Sequence, residues 1–277
     1  MADWRPKLRC RKDGNPRIMG ILNITPDSFH GGSRYSSVEQ ATEAAIKMAI
    51  EGADWIDIGG ESTRPGAKEV APEEEERRVI PVIESIRDEL PDMGISIDSR
   101  RSSVARSAIN AGADMINDVS ALGDTEMANL VAELGCPVCL MHMKGLPENM
   151  QENPNYSNVV SDVRASLAES TSKLKDLGVE NSRIIVDPGI GFGKLLEHNL
   201  ALLSSGRDVI PEGEMGLMWG VSRKSMFVDL LGRDATEDRL AGSLGIASKA
   251  GDFGVDIIRV HDVGEHEDLF SAINSLR

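Results

Sequence analysis

The feature of this sequence that most constrains its fold is the alternation of short apolar runs with longer amphipathic segments. Such alternation is typical of repeated strand–helix units and a parallel sheet. The apolar runs are spaced by roughly twenty to forty residues, which leaves room for one helix after each. The predicted strands are Ile18–Leu22, Trp55–Ile58, Ile95–Ile97, Met115–Ile116, Val138–Met141, Ile184–Val186, Leu217–Val221 and Ile257–Val260.

Eight such units favour closure into a (β/α)8 TIM barrel over an open doubly wound sheet. The length of 277 residues suits this α/β fold class, because such barrels typically run to about 250 residues. No linker rich in Gly, Pro or Ser divides the chain. The sequence therefore predicts a single barrel domain over residues 1–277, in which residues 1–15 form an N-terminal extension before the first strand.

Helical periodicity supports the same units. Residues 38–51, 73–90, 102–111 and 159–177 repeat apolar side chains at helical spacing around charged faces. A glycine follows each of several helical runs, where a left-handed C-cap is expected, namely Gly52, Gly112, Gly135 and Gly178. The charge run Glu73–Arg78 is interpreted as a solvated helix face.

Composition limits the partners and the location of the chain. The formal net charge of −15 argues against a general electrostatic grip on nucleic acid or an anionic membrane. Neither an apolar run long enough to span a membrane nor a signal peptide is visible, so we expect a cytoplasmic protein. Cys10, Cys136 and Cys139 suit a reducing compartment, and we interpret them as structural, not as a redox or zinc pair.

Polar residues accumulate at the carboxyl ends of the predicted strands, where TIM barrels carry their chemistry. Each alone can be a turn or cap residue, but capping does not explain their presence after every strand. In chain order they are Asn23, Thr63 with Arg64, Asp98, Asn117 with Asp118, His142, Asp187, Ser222 with Arg223 and Lys224, and Arg259 with His261. The sequence therefore predicts an active site at this face.

The residue types indicate the chemistry. Asp98, Asn117 and Asp187 offer acceptors for the N–H groups of a flat nitrogen heterocycle, and Lys224 can donate to it. Carboxylates near a reacting carbon also favour a transition state with positive charge on the bound ring. Basic and amide side chains suit a diphosphate leaving group bridged by Mg²⁺, namely Asn23, Arg64, Arg259 and His261.

Several motifs resemble the dihydropteroate synthase family. They are MGILNITPDSF at 19–29, IDIGGESTRPG at 56–66, SID at 96–98, INDVS at 116–120, MHM at 141–143, DPGIGFGK at 187–194, SRKS at 222–225 and RVHD at 259–262. The resemblance covers nearly the whole chain in order. It implies condensation of 6-hydroxymethyl-7,8-dihydropterin diphosphate with 4-aminobenzoate to give 7,8-dihydropteroate and pyrophosphate, in folate biosynthesis, by a homodimeric enzyme.

The resemblance also implies roles for individual residues. The pterin contacts are Asp98, Asn117, Met141, Asp187, Lys224 and Arg259, of which Asp98, Asp187, Lys224 and Arg259 are catalytic. The diphosphate contacts are Asn23, Arg64, Arg259 and His261, with Asn23 as the protein ligand of Mg²⁺. The 4-aminobenzoate contacts are Phe29, Thr63, Arg64, Pro65, Phe192, Arg223 and Ser225.

One departure from the family pattern leaves alternatives open. Many members continue the first loop as Ser-Phe-Ser-Asp-Gly-Gly, whereas Phe29 is followed here by His30, Gly31 and Gly32, so a loop aspartate is missing. A catalytically silent pterin-binding barrel is therefore one alternative. The other is a methyltetrahydrofolate:corrinoid methyltransferase, which shares the pterin-holding residues but needs no diphosphate site.

Overall fold

A computed structural model describes residues 7–24, 38–62, 69–145, 150 and 154–276 of the chain. Within these ranges, eight parallel strands pair in chain order, and the last pairs with the first, so the sheet is a closed barrel. The strands are β1 Arg17–Asn23, β2 Trp55–Gly59, β3 Gly94–Asp98, β4 Met115–Asp118, β5 Val138–Met141, β6 Ile184–Asp187, β7 Gly216–Trp219 and β8 Ile257–Val260. The predicted fold class is confirmed.

Helices surround the barrel between consecutive strands. In the described part of the chain they are α1 Val38–Ile50, α2 Pro72–Glu89, α3 Ser102–Asn110, α4 Met127–Leu134, α5 Val159–Asp176, α6 Leu196–Ser205, α7 Met226–Leu231, α8 Leu240–Ala247 and α9 Val263–Asn274. Short 3-10 helices lie at Asn181–Arg183, Gly206–Val209 and Thr236–Arg239. The predicted helices agree with these bounds to within one residue at each end, and the four predicted cap glycines all have positive φ.

One strand was predicted too long. The apolar run extends to Val221, but β7 ends at Trp219, because its pairs with β6 and β8 reach no further than Leu217 and Trp219. Val221 is nevertheless fully buried. Its apolar character reports burial beyond the strand end, not participation in the hydrogen-bonded ladder.

The lower part of the barrel interior is filled by apolar side chains. Alternate residues of a strand face the same side of a sheet, and one buried cluster takes such residues from seven strands together with one from the N-terminal segment: Leu8, Met19, Trp55, Met115, Cys139, Ile185, Met218 and Ile257. The Trp55 indole N–H also donates to the Lys7 carbonyl at 3.0 Å. The N-terminal segment therefore closes the end of the barrel opposite the strand carboxyl ends.

The charge run at the start of α2 is only partly solvated. Glu75 is fully buried, and its carboxylate accepts a hydrogen bond from Arg101 at 2.5 Å. The interpretation of Glu75 as part of a solvated face was wrong. A helix position that faces the core can carry a charge when a buried counter-ion is available. No helix within the described ranges is long and apolar enough to cross a membrane.

Candidate active site

A polar layer lies directly above the apolar floor of the barrel. The residues two positions further along the strands again face the interior, and five of them are Asp57, Asn117, Met141, Asp187 and Arg259. Backbone pairing puts Asn117 opposite Asp98 and Met141 opposite Asp187. The barrel thus brings together all of the residues predicted to hold the heterocycle on β3 to β6 and β8.

Arg259 connects two carboxylates across the barrel. Its Nε donates to Oδ2 of Asp57 at 2.5 Å, and its Nη2 donates to Oδ2 of Asp98 at 2.6 Å. These carboxylates raise the pKa of the guanidinium against the effect of burial. Burial raises the pKa of Asp98 to about 7, although Arg259 acts in the opposite direction. Asp98 can therefore change its protonation state near neutral pH.

Asp57 was not predicted as a site residue, although it lies within the quoted motif at 56–66. It is fully buried, and its Oδ2 also accepts from Nδ2 of Asn117 at 3.1 Å. The position of Asp57 two residues after Trp55 on a barrel strand could have indicated an interior carboxylate. The strand-end search missed it because Asp57 lies inside β2, not at its end.

Asp187 stands at the end of β6 beside two cationic side chains. Its Oδ1 accepts the backbone N–H of Gly189 at 2.7 Å. Burial raises its pKa, while the Gly189 N–H and the ammonium groups of Lys224 and Lys194 oppose this shift. The Lys224 ammonium lies 4.1 Å from the centre of the Phe192 ring. Asp187, Lys224 and Phe192 therefore share one side of the pocket, as the sequence predicted for the first two.

Lys194 is a second residue to which sequence reasoning gave no role. Its ammonium is buried and lies 3.0 Å from Nδ1 of His142 and 2.9 Å from the Phe192 carbonyl. Burial lowers the pKa of Lys194 to about 7 and that of His142 to about 3. The signal in the sequence was its place in the DPGIGFGK motif. His142, which was predicted among the polar strand-end residues, is packed against Lys194.

The residues after β7 and β8 are tied to each other. Nδ1 of His261 lies 2.9 Å from the Ser222 hydroxyl, and the Arg223 guanidinium forms a two-point ion pair with Asp262. Arg223 has φ of +55°, a left-handed conformation that costs energy for a non-glycine residue. Ser225 is exposed immediately before α7. The segment at 222–225 therefore borders the mouth, as the prediction for Arg223 and Ser225 requires.

A charged cluster holds both sides of the segment that follows β2. The Glu61 carboxylate accepts from Arg100 and Arg101, both at 3.0 Å, and from the Val70 backbone N–H at 3.0 Å. Arg101 also pairs with Glu69 and Glu75. The cluster ties residue 61 to residues 69–70, which flank the predicted contacts at 63–65.

Some predicted contacts lie outside the described residues. They are Phe29, Thr63, Arg64 and Pro65. The residues His30, Gly31 and Gly32, which differ from the usual first loop of the family, also lie outside the described residues. Asn23 ends β1 at the mouth. A Cβ on Gly59 would lie 3.6 Å from Oδ1 of Asn23 and 3.7 Å from Oδ2 of Asp98. The missing side chain of Gly59 thus leaves a space bordered by two oxygen atoms.

The described pocket is rich in hydrogen-bond acceptors. Oδ1 of Asn117 and Oδ1 of Asp57 are buried with no hydrogen-bond partner among the described residues. Buried polar atoms are normally paired in native structures. A ligand that presents several N–H groups to Asp98, Asn117 and Asp187, and an acceptor to Lys224, would satisfy this arrangement. A planar 2-amino-pyrimidinone edge has that pattern.

Known proteins resemble this chain over nearly its whole length. Residues 19–261 match the model of the pterin binding enzyme family. The dihydropteroate synthase of Haemophilus influenzae is 43% identical over 261 residues, which cover 94% of this chain and 94% of that protein. That of Escherichia coli K12 is 44% identical over 261 residues, with 94% and 92% coverage.

Solved structures give the same result. The Yersinia pestis dihydropteroate synthase with a sulfonamide drug has a TM-score of 0.89 at 39% identity, covering 96% of both chains. The Xanthomonas albilineans enzyme with 4-aminobenzoic acid has a TM-score of 0.86 at 41% identity, covering 95% of this chain and 93% of that chain. The Burkholderia cenocepacia enzyme with 7,8-dihydropteroate has a TM-score of 0.86 at 40% identity, with 95% and 92% coverage.

Proposed function

This chain belongs to the dihydropteroate synthase family of pterin-binding enzymes, and we propose how its barrel mouth carries out that family's reaction. The substrates are 6-hydroxymethyl-7,8-dihydropterin diphosphate and 4-aminobenzoate, and the products are 7,8-dihydropteroate and pyrophosphate. The observation that carries the proposal is the buried set of acceptors formed by Asp98, Asn117 and Asp187 beside Lys224.

The pterin ring lies in this pocket. Its amino and ring N–H groups donate to the acceptors on β3, β4 and β6, and Lys224 donates to the opposite edge. Met141 is buried on β5 opposite Asp187 and supplies an apolar wall. Arg259 flanks the ring, since its guanidinium is held in place by Asp57 and Asp98.

The diphosphate occupies the mouth above Gly59, near Asn23 and His261. The oxygen atoms of Asn23 and Asp98 border the space there, and hard oxygen donors fit Mg²⁺. In the proposal, Asn23 would be the protein ligand of this ion. When bound, Mg²⁺ neutralises charge on the leaving group.

The reaction breaks the bond between the pterin methylene carbon and the diphosphate oxygen. The electron pair leaves with pyrophosphate, and positive charge spreads over the pterin. Asp98 and Asp187 stabilise that charge, because buried carboxylates interact with it more strongly than water does. The amine nitrogen of 4-aminobenzoate then bonds to the methylene carbon and loses a proton. No bond to the protein forms.

4-Aminobenzoate approaches along the side of the mouth formed by Phe192, Arg223 and Ser225. Phe192 lies against Lys224, which places an aromatic ring beside the pterin pocket. Arg223 already pairs with Asp262 through Nε and Nη2, so in the proposal its remaining N–H groups donate to the substrate carboxylate. Thr63, Arg64, Pro65 and Phe29 complete this site in the proposal.

The experiment is pyrophosphate release from dihydropterin diphosphate with Mg²⁺, measured with and without 4-aminobenzoate. We expect both substrates to be required for sustained turnover. Asp187→Asn should lower kcat by about a hundredfold or more, the usual cost of losing a group that stabilises transition-state charge. Asp252→Asn is the matched control, because Asp252 is exposed and pairs only with Lys249 among the described residues.

Two other outcomes would replace the proposal. Tight pterin binding without pyrophosphate release would identify a catalytically silent binder. The missing loop aspartate is the sequence feature that raises this alternative. Methyl transfer from methyltetrahydrofolate to a corrinoid would identify the methyltransferase.

We also propose a cytoplasmic homodimer. Free thiols at Cys10, Cys136 and Cys139 suit a reducing compartment, and sedimentation of the purified protein tests the dimer.

A further inference from the structure

Asp57 is a buried carboxylate in the same interior layer of the barrel as Asn117, Asp187 and Arg259. It is fully excluded from solvent, and its contacts are with Asn117 and Arg259, both proposed to touch the pterin. Its Oδ1 has no partner among the described residues. Replacing a buried ion pair by apolar groups is often neutral or stabilising, so stability alone does not account for a carboxylate at this position.

The contact with Asn117 has only one chemically possible orientation. A carboxylate that is paired with a guanidinium is an acceptor, so the Asn117 amide turns its Nδ2 group toward Oδ2 of Asp57, at 3.1 Å. The other end of the amide is then Oδ1, which is buried and has no partner in the described part of the chain. Asp57 thereby presents the pocket with an acceptor instead of a donor.

The contact with Arg259 works in the same direction. Asp57 takes Nε and Asp98 takes Nη2, so the guanidinium is shared between two carboxylates. Among the described residues, Arg259 forms ion pairs with Asp57 and Asp98. Without Asp57, only the pair with Asp98 would remain of these two. A closer two-point pair with Asp98 would use the oxygen atoms that the ligand needs.

We infer that Asp57 is a positioning residue that sets the acceptor pattern of the pterin pocket by orienting the Asn117 amide and sharing Arg259 with Asp98. This inference rests on the proposed role of Asn117 in pterin binding. It makes the pocket specific for rings that carry an N–H donor facing Asn117, because a ring with an acceptor there would leave two buried acceptors facing each other.

The test exchanges donor and acceptor across the pair. In Asp57→Asn, the amide at 57 no longer dictates which end of Asn117 faces the pocket. In the double variant Asp57→Asn/Asn117→Asp, the carboxylate at 117 accepts from the amide at 57 and again presents an acceptor to the ligand. Ser96→Ala is the matched control, since Ser96 is buried beside Asp57 in the adjacent strand and its hydroxyl has no partner among the described residues.

The probe is 6-hydroxymethyl-7,8-dihydropterin, titrated by calorimetry in the absence of 4-aminobenzoate. Asp57→Asn should weaken binding about tenfold or more, because the ligand N–H loses its defined acceptor. The swapped pair should recover affinity to within about threefold of wild type, and Ser96→Ala should bind as wild type. Thermal unfolding of each variant is measured alongside. Should Asp57→Asn not fold, the swapped pair carries the test, since it keeps one carboxylate at the pair.

The outcomes separate this inference from the proposed function. If Asn117→Ala binds the probe as tightly as wild type, the pterin role of Asn117 fails. If Asn117→Ala weakens binding but Asp57→Asn does not, the pterin role stands and the positioning role of Asp57 is overturned. A swapped pair that binds no better than Asp57→Asn, although it is folded, would also overturn it.

Discussion

The ammonium of Lys194 lies 3.0 Å from Nδ1 of His142, and both side chains are buried between the ends of β5 and β6. Lys194 also donates to the Phe192 carbonyl at 2.9 Å. These contacts join the segment after β5 to the turn that carries Phe192. The buried Lys194 side chain thereby supports the wall of the proposed 4-aminobenzoate site.

Lys194→Met should lower the free energy of unfolding by about 1–3 kcal/mol, because it leaves buried acceptors without a donor. It should also raise the KM for 4-aminobenzoate more than it lowers kcat, since Phe192 loses its anchor. Chemical denaturation and steady-state kinetics check both effects. Lys249→Met is the control, as the Lys249–Asp252 pair is exposed. Equal effects of the two substitutions would contradict a supporting role for Lys194.

The raised pKa of Asp98 predicts a pH-dependent stability. The native carboxyl keeps its proton up to about pH 7, whereas the unfolded one loses it near its ordinary value, at about pH 4. The unfolded state therefore binds fewer protons between these limits, so the free energy of unfolding falls as pH rises from about 4 to about 7. Asp98→Asn should lack this contribution.

Denaturation midpoints at pH 4, 5, 6 and 7 test this, with Asp252→Asn as a carboxylate control. Asp187 and Glu75 also have raised pKa values, so only the difference between wild type and Asp98→Asn isolates Asp98. Wild type should lose more stability than Asp98→Asn across this range. Parallel profiles for the two proteins would show that Asp98 ionises normally.

Arg101 should be among the charged residues on which stability depends most. It pairs with Glu61, Glu69 and the fully buried Glu75. Arg101→Gln should cost about 3–5 kcal/mol, because it leaves a buried carboxylate unpaired. Adding Glu75→Gln should recover part of that loss, which a double-mutant cycle measures.

Arg106→Gln provides the contrast with Arg101. Arg106 forms a two-point pair with Glu133, but both side chains are exposed. Exposed ion pairs contribute little to stability, so we expect no measurable change in the denaturation midpoint. A large loss in Arg106→Gln, or none in Arg101→Gln, would show that burial does not control the strength of these pairs.

Gly189→Ala should abolish turnover. A Cβ at this position would lie 1.8 Å from the His142 carbonyl oxygen, and Gly189 has φ of +69°. The backbone must move, and the N–H that holds Asp187 moves with it. Gly178→Ala is the matched control, because its φ is +83° but its Cβ would meet nothing within 4 Å. It should cost about 1 kcal/mol and leave kcat unchanged.

Pyrophosphate release and thermal unfolding distinguish the two glycine variants. Gly178→Ala reports the cost of a left-handed backbone alone, and Gly189→Ala adds the steric clash. Similar kcat values for both variants would show that the turn after β6 tolerates displacement. Asp187 would then not depend on the Gly189 N–H for its position.

The barrel was predictable because its strands repeat one local pattern. Each apolar run, each amphipathic helix and each cap glycine depends on residues close in sequence, and the strand at 217–221 was wrong only in its end. The strand-end rule also selected Asp98, Asn117, Asp187 and Arg259, which the structure brings together at one face. It needs no knowledge of distances, because parallel strands bring their carboxyl ends to one face.

Asp57, Glu75 and Lys194 were not predictable in this way. Each is a charged residue whose environment is set by a partner distant in sequence, so local periodicity predicts exposure or no role at all. Arg259 is 202 residues away from Asp57 along the chain, and Lys194 is 52 residues away from His142. Only closure of the barrel brings such pairs within hydrogen-bond distance.

The sequence by itself determined the fold class, the face at which the polar strand-end residues gather, and the family. The tertiary structure decided which end of the Asn117 amide faces the pocket, which carboxylates share Arg259, and which charged residues are buried. The physical reason is that secondary structure follows from short-range backbone and side-chain preferences. Hydrogen-bond orientation and pKa depend instead on desolvation and on charges that meet only when the barrel closes.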